Sequence, residues 1–231
     1  MTATNQQRPF VKLGEILLIS ALLCAVGCQH TGYQKGDAAS KSLQRAALEI
    51  QSQSKAIDVA VGTLTDLVAH PAPDLKPQFR RFSVAVDRLE DTVKRTERTR
   101  ERMELKSVEY FQTWDKETAG IHYGIVREQS ETRRAQVTNQ FESVNARYLD
   151  AQGVVRPLLS YLNDLRTALS VDLTPAGLNS VQGIASNAVN NARKVQVALE
   201  KLSDELRTSG AGWSSVVAQN RADTSAAMNR K

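Results

Sequence analysis

The side chains best suited to chemistry in this sequence are two cysteines and three histidines. The histidines, His30, His70 and His122, lie apart from the ligand spacings that zinc and di-iron sites use. The Glu-x-x-His pattern of di-iron bundles is absent, because Leu67 and Ala119 stand three residues before His70 and His122. No Gly-rich phosphate loop, nucleophile elbow or Ser-His-Asp arrangement is present. The sequence therefore predicts no metal site, no cofactor and no enzymatic activity.

Cys28 follows an apolar run at positions 16–26. The run has 11 residues, whereas a helix needs about 20 to cross a bilayer. Its length fits the hydrophobic region of a secretory signal peptide, and Arg8 and Lys12 supply the positive region before it. The sequence therefore predicts export, with a signal peptide that ends next to Cys28.

The residues Ala25-Val26-Gly27-Cys28 resemble the lipobox of bacterial lipoproteins. The resemblance implies cleavage before Cys28, a diacylglyceryl group on its sulfur and an added fatty acid such as palmitate. Two or three acyl chains hold a protein firmly at a membrane, whereas one binds marginally. A plain signal peptide and an N-terminal helix with an incidental cysteine are the alternatives. By resemblance to known lipoprotein sorting, Gln29 favours the periplasmic leaflet of the outer membrane, while the inner membrane stays open.

The 231-residue chain carries 30 Lys and Arg against 25 Asp and Glu, for a net charge of +5. This charge is mild and mixed in sign, unlike the clustered basic face of a nucleic-acid binder. With 5 Phe, 5 Tyr and 2 Trp, the chain has fewer aromatic residues than β-sandwich or enzyme cores usually carry. Composition therefore argues against a disulfide scaffold, a disordered chain, a polytopic membrane protein and a nucleic-acid partner.

Apolar residues recur at alternating spacings of four and three along four stretches of the chain. This 3.5-residue period predicts α-helices that pack in a left-handed supercoil. The prolines at 71 and 73, the glycine at 120 and the Thr174-Pro175 pair separate the stretches. The third stretch contains Val137, Phe141, Val144, Tyr148, Ala151, Val155, Leu158, Leu162, Leu165 and Leu169, and the fourth contains Leu178, Val181, Ala185, Ala188, Ala192, Val195, Leu199, Leu202 and Leu206. The predicted helices span residues 38–69, 75–117, 122–171 and 175–208.

Short connections make successive helices antiparallel neighbours, so we expect an all-α fold, an elongated antiparallel bundle or coiled coil of four helices. The second and third helices are the longest, so their hairpin is predicted to project about 15–20 Å as a two-helix arm. The domains are a signal peptide (1–27), a lipid anchor and linker (28–37), the bundle (38–208) and a flexible C-terminal tail (209–231). Heptads are satisfied equally well within one chain or between chains, so a homo-oligomer stays open.

Aromatic and apolar residues cluster where the predicted hairpin turns, and these are the candidate interaction residues. They are Tyr110, Phe111, Trp114, Ile121, His122 and Tyr123. Phe111 lies one step off the heptad seam and is predicted to be partly exposed. A narrow tip has little core, so the cluster indicates contact with a protein partner or with lipid headgroups. The alternative is that the rings plug the end of the hairpin against each other.

The segment 94–106 of the second helix holds six basic and three acidic residues. Nucleic acid or anionic lipid could bind such a segment. Interleaved charges at helical spacing are more typical of a solvated face with pairs three and four residues apart. We therefore interpret the segment as a solvated helix face.

Three motifs resemble an uncharacterised family of bacterial helical lipoproteins known as DUF2959. These are the aromatic pair Phe111 and Trp114, the stretch 125–131 (Ile-Val-Arg-Glu-Gln-Ser-Glu), and 156–159 (Arg-Pro-Leu-Leu) followed by Leu162 and Leu169. The likeness spans most of the mature chain and includes no catalytic signature. It implies a surface or periplasmic coiled-coil lipoprotein and implies no activity.

The sequence thus predicts a membrane-anchored periplasmic lipoprotein that acts as a structural or adaptor element of the cell envelope. Its partners would be the membrane, through lipid on Cys28, and an envelope protein that the sequence does not identify. The alternative is a helical module that binds or remodels the membrane surface through its aromatic tip and basic arm.

Overall fold

The computed structural model describes residues 31–216. These residues form four helices, α1 (Gly32–Ala69), α2 (Lys76–Ala119), α3 (Gly124–Val171) and α4 (Pro175–Trp213). No strand occurs in this part of the chain, so the predicted all-α bundle is confirmed. All four helices lie in one compact unit, which begins at Gly32. Cys28 and the predicted signal peptide lie outside the described residues.

The helices follow each other up and down, and α1 packs along both α2 and α4. Helix α3 packs against the same two neighbours, so it lies diagonally opposite α1. The buried face of α1 is rich in small residues, which allow neighbouring helix axes to approach closely. At one such contact, the Ser40 hydroxyl donates a 2.6 Å hydrogen bond to the carbonyl oxygen of Gly210 on α4. The small residues on the buried face of α1 are Gly36, Ala39, Ser40, Ala46, Ala47 and Ala60.

The heptad positions predicted for the two C-terminal helices are confirmed as core. All ten residues of the third stretch and all nine of the fourth are buried in the structure. Helix α3 continues through Pro157. Helix α4 begins as its sequence predicts, with the Thr174 hydroxyl accepting a 3.1 Å hydrogen bond from the Gly177 N–H and with Pro175 in the first turn.

Two predicted boundaries were wrong, and tertiary contacts explain both. Helix α1 begins at Gly32 rather than at residue 38, and its first N–H donates a 2.7 Å hydrogen bond to Oε1 of Glu117 on α2. Helix α4 continues to Trp213 rather than ending at residue 208. A Cβ atom at Gly210 would lie 3.2 Å from the Ser40 carbonyl oxygen, so this glycine serves close packing within a helix. Residues 32–37 and 209–213 are therefore helical rather than linker and tail.

The longer α1 also changes the predicted two-helix arm. The α2–α3 hairpin extends beyond the end of α4. Trp213, the last residue of α4, packs against Phe111 of α2. Eight more residues of α2 follow Phe111, so the hairpin extends about 12 Å further. Helix α1 accompanies this extension, because Gly32 contacts Glu117 near the end of α2. The projecting end of the molecule is therefore built from three helices.

A layer of hydrogen-bonded polar side chains crosses the middle of the core. Gln53 on α1 and Gln152 on α3 exchange two amide hydrogen bonds, of 3.3 and 3.1 Å, and both residues are buried. Beside them the Tyr148 hydroxyl donates a 2.7 Å hydrogen bond to the carbonyl oxygen of Thr96. Burial raises the pKa of Tyr148 well above its ordinary value, so its hydroxyl keeps its proton. These bonds join α3 to both α1 and α2.

We predict that the amide pair behaves as a unit. Gln53→Leu alone leaves the Gln152 amide buried without a partner and should lower the free energy of unfolding by about 1–3 kcal/mol. The double variant Gln53→Leu/Gln152→Leu removes both polar groups and should recover most of that loss. Urea denaturation followed by circular dichroism measures the four free energies of this cycle. Additive losses would show that the two amides do not depend on each other.

Candidate functional site at the hairpin tip

Five aromatic rings pack together where α4 ends against α2 and α3. The centroids of Tyr110 and Trp114 are 5.3 Å apart, and Phe111 lies 6.0 Å from both Phe141 and Trp213 with its ring edge-on to theirs. Tilted and edge-on pairs at these distances are favourable arrangements of aromatic rings. The cluster therefore joins α2, α3 and α4 at the base of the tip.

Helix α1 closes the same cluster from the remaining side. A Cβ atom at Gly36 would lie 3.1 Å from a ring carbon of Tyr110, so a larger residue would push against the ring. Burial raises the pKa of the Tyr110 hydroxyl above its ordinary value. All four helices thus meet around these rings.

A guanidinium covers the outer face of the cluster. The Arg134 Cζ lies 5.3 Å from the centroid of the Phe111 ring, within the range of a cation–π contact. The same guanidinium donates two 2.9 Å hydrogen bonds to the two carboxylate oxygens of Asp115. This fork fixes the side chain in place and ties α3 to α2 just below the tip.

The hairpin is pinned by a second polar contact nearer its turn. The Trp114 indole N–H donates a 2.8 Å hydrogen bond to the Ser130 hydroxyl, which lies 2.9 Å from the Thr118 hydroxyl. In the turn itself, the Arg127 guanidinium donates to the Ile121 carbonyl oxygen at 3.0 and 2.5 Å. His122 Nδ1 lies 2.7 Å from the Gly120 carbonyl oxygen. The turn is therefore held in one shape by hydrogen bonds to its backbone.

Of the six predicted tip residues, three belong to the aromatic cluster and three lie at the turn of the hairpin. Tyr110 and Trp114 are half-buried and Phe111 is only 9% exposed, so these three belong to the aromatic cluster. The predicted exposure of Phe111 was wrong because Trp213, which was assigned to a flexible tail, is helical and covers it. Ile121 is half-buried, while His122 and Tyr123 are exposed.

Apolar surface is exposed beyond the turn, at the start of α3. Tyr123 is 67% exposed and Ile125 is 63% exposed, with Val126 exposed beside them and Ile121 at their edge. We call these four residues the tip patch. Ile125 and Val126 were not among the predicted site residues, although two adjacent apolar residues directly after a turn, outside the heptad seam, are a recognisable signal. Exposed apolar residues grouped in this way are typical of a contact surface.

The start of α1 and the residues that follow α4 are both held by hydrogen bonds close to the tip. The Asp37 carboxylate accepts 2.7 Å hydrogen bonds from the Ser215 N–H and from the Ser215 hydroxyl. These two bonds, the backbone one above all, hold the pKa of Asp37 below its ordinary value. Together with the bond from Gly32 to Glu117, they fix the start of α1 and the end of α4 to their neighbours.

The charged segment 94–106 behaves largely as the solvated face that its sequence predicts. Lys94 pairs with Glu90 at 2.8 Å, and Arg100 pairs with Glu104 at 2.9 Å and with Glu97. Not every cation is paired in this way. Within residues 31–216, Arg98 and Arg102 form no ion pair.

The described residues offer neither a metal site nor a membrane span. Between positions 31 and 216, no three histidine, cysteine or acidic side chains are grouped so that they could bind a metal ion. In the same range, no helix is both long enough and apolar enough to cross a bilayer.

We predict that two substitutions at the tip differ strongly in their effect on stability. Phe111→Ala removes a buried ring from the cluster and should lower the free energy of unfolding by about 3–5 kcal/mol. Tyr123→Ala removes an exposed ring and should change it by less than about 0.5 kcal/mol. Urea denaturation of both variants checks the contrast. Equal stability of the two would mean that the aromatic cluster does not hold the helices together.

Comparison with known proteins adds a family and no activity. No curated protein and no solved structure matches the chain significantly. A family model described as a protein of unknown function (DUF2959) matches residues 27–210, a range that contains α1, α2 and α3 complete and nearly all of α4. The chain therefore belongs to the DUF2959 family.

Proposed function

We propose that this protein is a lipid-anchored adaptor of the bacterial cell envelope, whose helical bundle presents the tip patch to a protein partner. The observation that carries the proposal is the exposed apolar tip patch on an end of the bundle that is fixed in shape. A surface held rigid before binding loses little conformational entropy when a partner docks. Its exposed Tyr123 is of a residue type that often anchors protein interfaces.

The lipid anchor is part of this proposal. Cys28 precedes Gly32 by four residues, and four extended residues reach at most about 14 Å. Since Gly32 contacts Glu117 beside the tip, lipid on Cys28 would tether the molecule by the end that carries the tip patch. A partner bound there would be held close to the membrane.

A second candidate is direct contact of the tip with the bilayer, and the shared location of anchor and tip favours it. The charges around the tip patch argue for a protein instead. Arg127, Glu128 and Glu131 lie on the first two turns of α3 and are exposed. They give this start of the helix a net charge of −1, which would oppose an anionic lipid surface. We therefore favour a protein partner over direct contact of the tip with the bilayer.

We predict that Cys28→Ser abolishes membrane attachment, because the residue that receives the lipid is lost. The measurement is fractionation of cells after labelling with radioactive palmitate. The matched control is Cys24→Ser, which changes a cysteine of the predicted signal peptide and should leave labelling intact. Continued labelling of the Cys28→Ser variant, or loss of labelling in both variants, would contradict the lipoprotein assignment.

We also predict a discrete protein crosslink from the tip. A photo-crosslinkable amino acid in place of Tyr123 should capture one partner in whole cells, identified by mass spectrometry. The control places the same group at Val171, an exposed residue at the opposite end of α3. The same protein captured from both positions would contradict tip docking. Lipid adducts alone at Tyr123 would favour the second candidate.

A further inference from the structure

A second surface lies along the side of the bundle, in the groove between α1 and α2. The groove has a volume of about 350 Å³. Lys41 and Arg45 line it from α1, and Arg102 and Lys106 line it from α2. Four cations thus converge on one groove, although they come from two helices and are far apart in sequence.

Most of this positive charge is not neutralised within the described residues. Lys41, Arg45 and Arg102 form no ion pair there. The acid that lines the groove, Glu109, is shared between Lys106 at 3.0 Å and Lys35 at 3.1 Å. The residues that line the groove therefore carry a net charge of +3, four cations against Glu109, and Asp37, one turn before Lys41, offsets part of it. The remaining positive charge is complementary to an anion.

Two of the residues that line the same groove are apolar. Leu105 is 64% exposed and lines the groove together with Ala38. Leu48 lies three residues after Arg45 on α1 and is also exposed. Cations around exposed aliphatic side chains match a ligand with an anionic head and hydrocarbon chains.

We infer that the α1–α2 groove binds the phosphate headgroup of an anionic phospholipid. In this arrangement the guanidinium groups of Arg45 and Arg102 and the ammonium groups of Lys41 and Lys106 surround the phosphate, while Leu105 contacts the upper acyl chain. Guanidinium suits this role because it donates paired hydrogen bonds to phosphate oxygens. Nucleic acid is a poorer fit, since no aromatic ring lines the groove to stack on a base.

The inference goes beyond the proposed function, because it concerns the side of the bundle rather than the tip. Lys41 lies nine residues into α1, about 14 Å from the helix start. If Cys28 carries lipid, that distance leaves the groove within reach of the membrane surface once the bundle tilts onto its α1–α2 side. Headgroup binding would then orient the bundle relative to the bilayer.

The test uses the full chain purified in a non-ionic detergent, with bound lipid detected by native mass spectrometry. The probes are dioctanoyl phosphatidylglycerol, dioctanoyl phosphatidylcholine and glycerol 3-phosphate. The groove variant is Arg45→Glu/Arg102→Glu. The matched control is Arg80→Glu/Arg88→Glu, which makes the same charge change at exposed, unpaired arginines near the other end of α2. Circular dichroism confirms that each variant is folded.

We expect phosphatidylglycerol to bind the wild type and the control variant alike, and to bind the groove variant at least about tenfold more weakly. Phosphatidylcholine and glycerol 3-phosphate should bind the wild type more weakly than phosphatidylglycerol does. Leu105→Ser keeps every cation, and it should weaken the binding of phosphatidylglycerol without affecting the binding of glycerol 3-phosphate. If the groove variant does not fold, Arg45→Gln/Arg102→Gln is measured against Arg80→Gln/Arg88→Gln.

Four outcomes would overturn the inference. Equal loss of phosphatidylglycerol binding in the groove and control variants would show that net charge alone attracts the lipid. Wild-type binding in both variants would show that the lipid binds elsewhere. Glycerol 3-phosphate binding as tightly as the phospholipid would indicate a site for free phosphate. A short oligonucleotide that bound the wild type but not the groove variant would assign the groove to nucleic acid. None of these results depends on palmitate labelling or on the tip crosslink, so the proposed function is tested separately.

Discussion

Two amide groups that face each other inside an apolar core allow only one register between α1 and α3. Gln53 and Gln152 lie on diagonally opposite helices, and each amide satisfies the other. A shift of α1 along α3 by one turn, about 5.4 Å, would bury both amides without partners. Because α2 and α4 pack between these two helices, the pair also determines which residues meet at the tip.

Unequal side-chain sizes around the core make the two faces of the bundle different. The small residues of α1 bring its backbone close to α2 and α4, while α3 fills the opposite side with leucines and aromatic rings. Close approach of α1 and α2 is what places cations from both helices along one groove. The aromatic cluster similarly depends on a glycine, since Gly36 leaves room for the ring of Tyr110. The groove and the aromatic cluster at the base of the tip therefore both depend on the packing of α1.

The heptad pattern predicted the helices and most of their core, because burial along a coiled coil depends on local spacing. It did not predict where α1 begins or where α4 ends. Glycines at 32 and 210 are poor helix formers, and the residues that contact them, Glu117 and Ser40, are distant in sequence. The burial of Phe111 was missed for the same reason, since Trp213 covers it. The α1–α2 groove could not be predicted at all, because its four cations belong to two helices whose relative register is invisible in the sequence.

The fastening of Gly32 to Glu117 has a mechanical consequence. If the chain is tethered at Cys28 and pulled by a partner on the tip patch, tension enters and leaves the bundle at the same end. The load passes through the first turn of α1 and the last turn of α2, and it bypasses the remaining length of the helices. Such a load would peel α1 from its first turn instead of shearing the whole bundle. The far end, at the turns near residues 70–74 and 172–174, would carry no tension and could move freely about the anchored end.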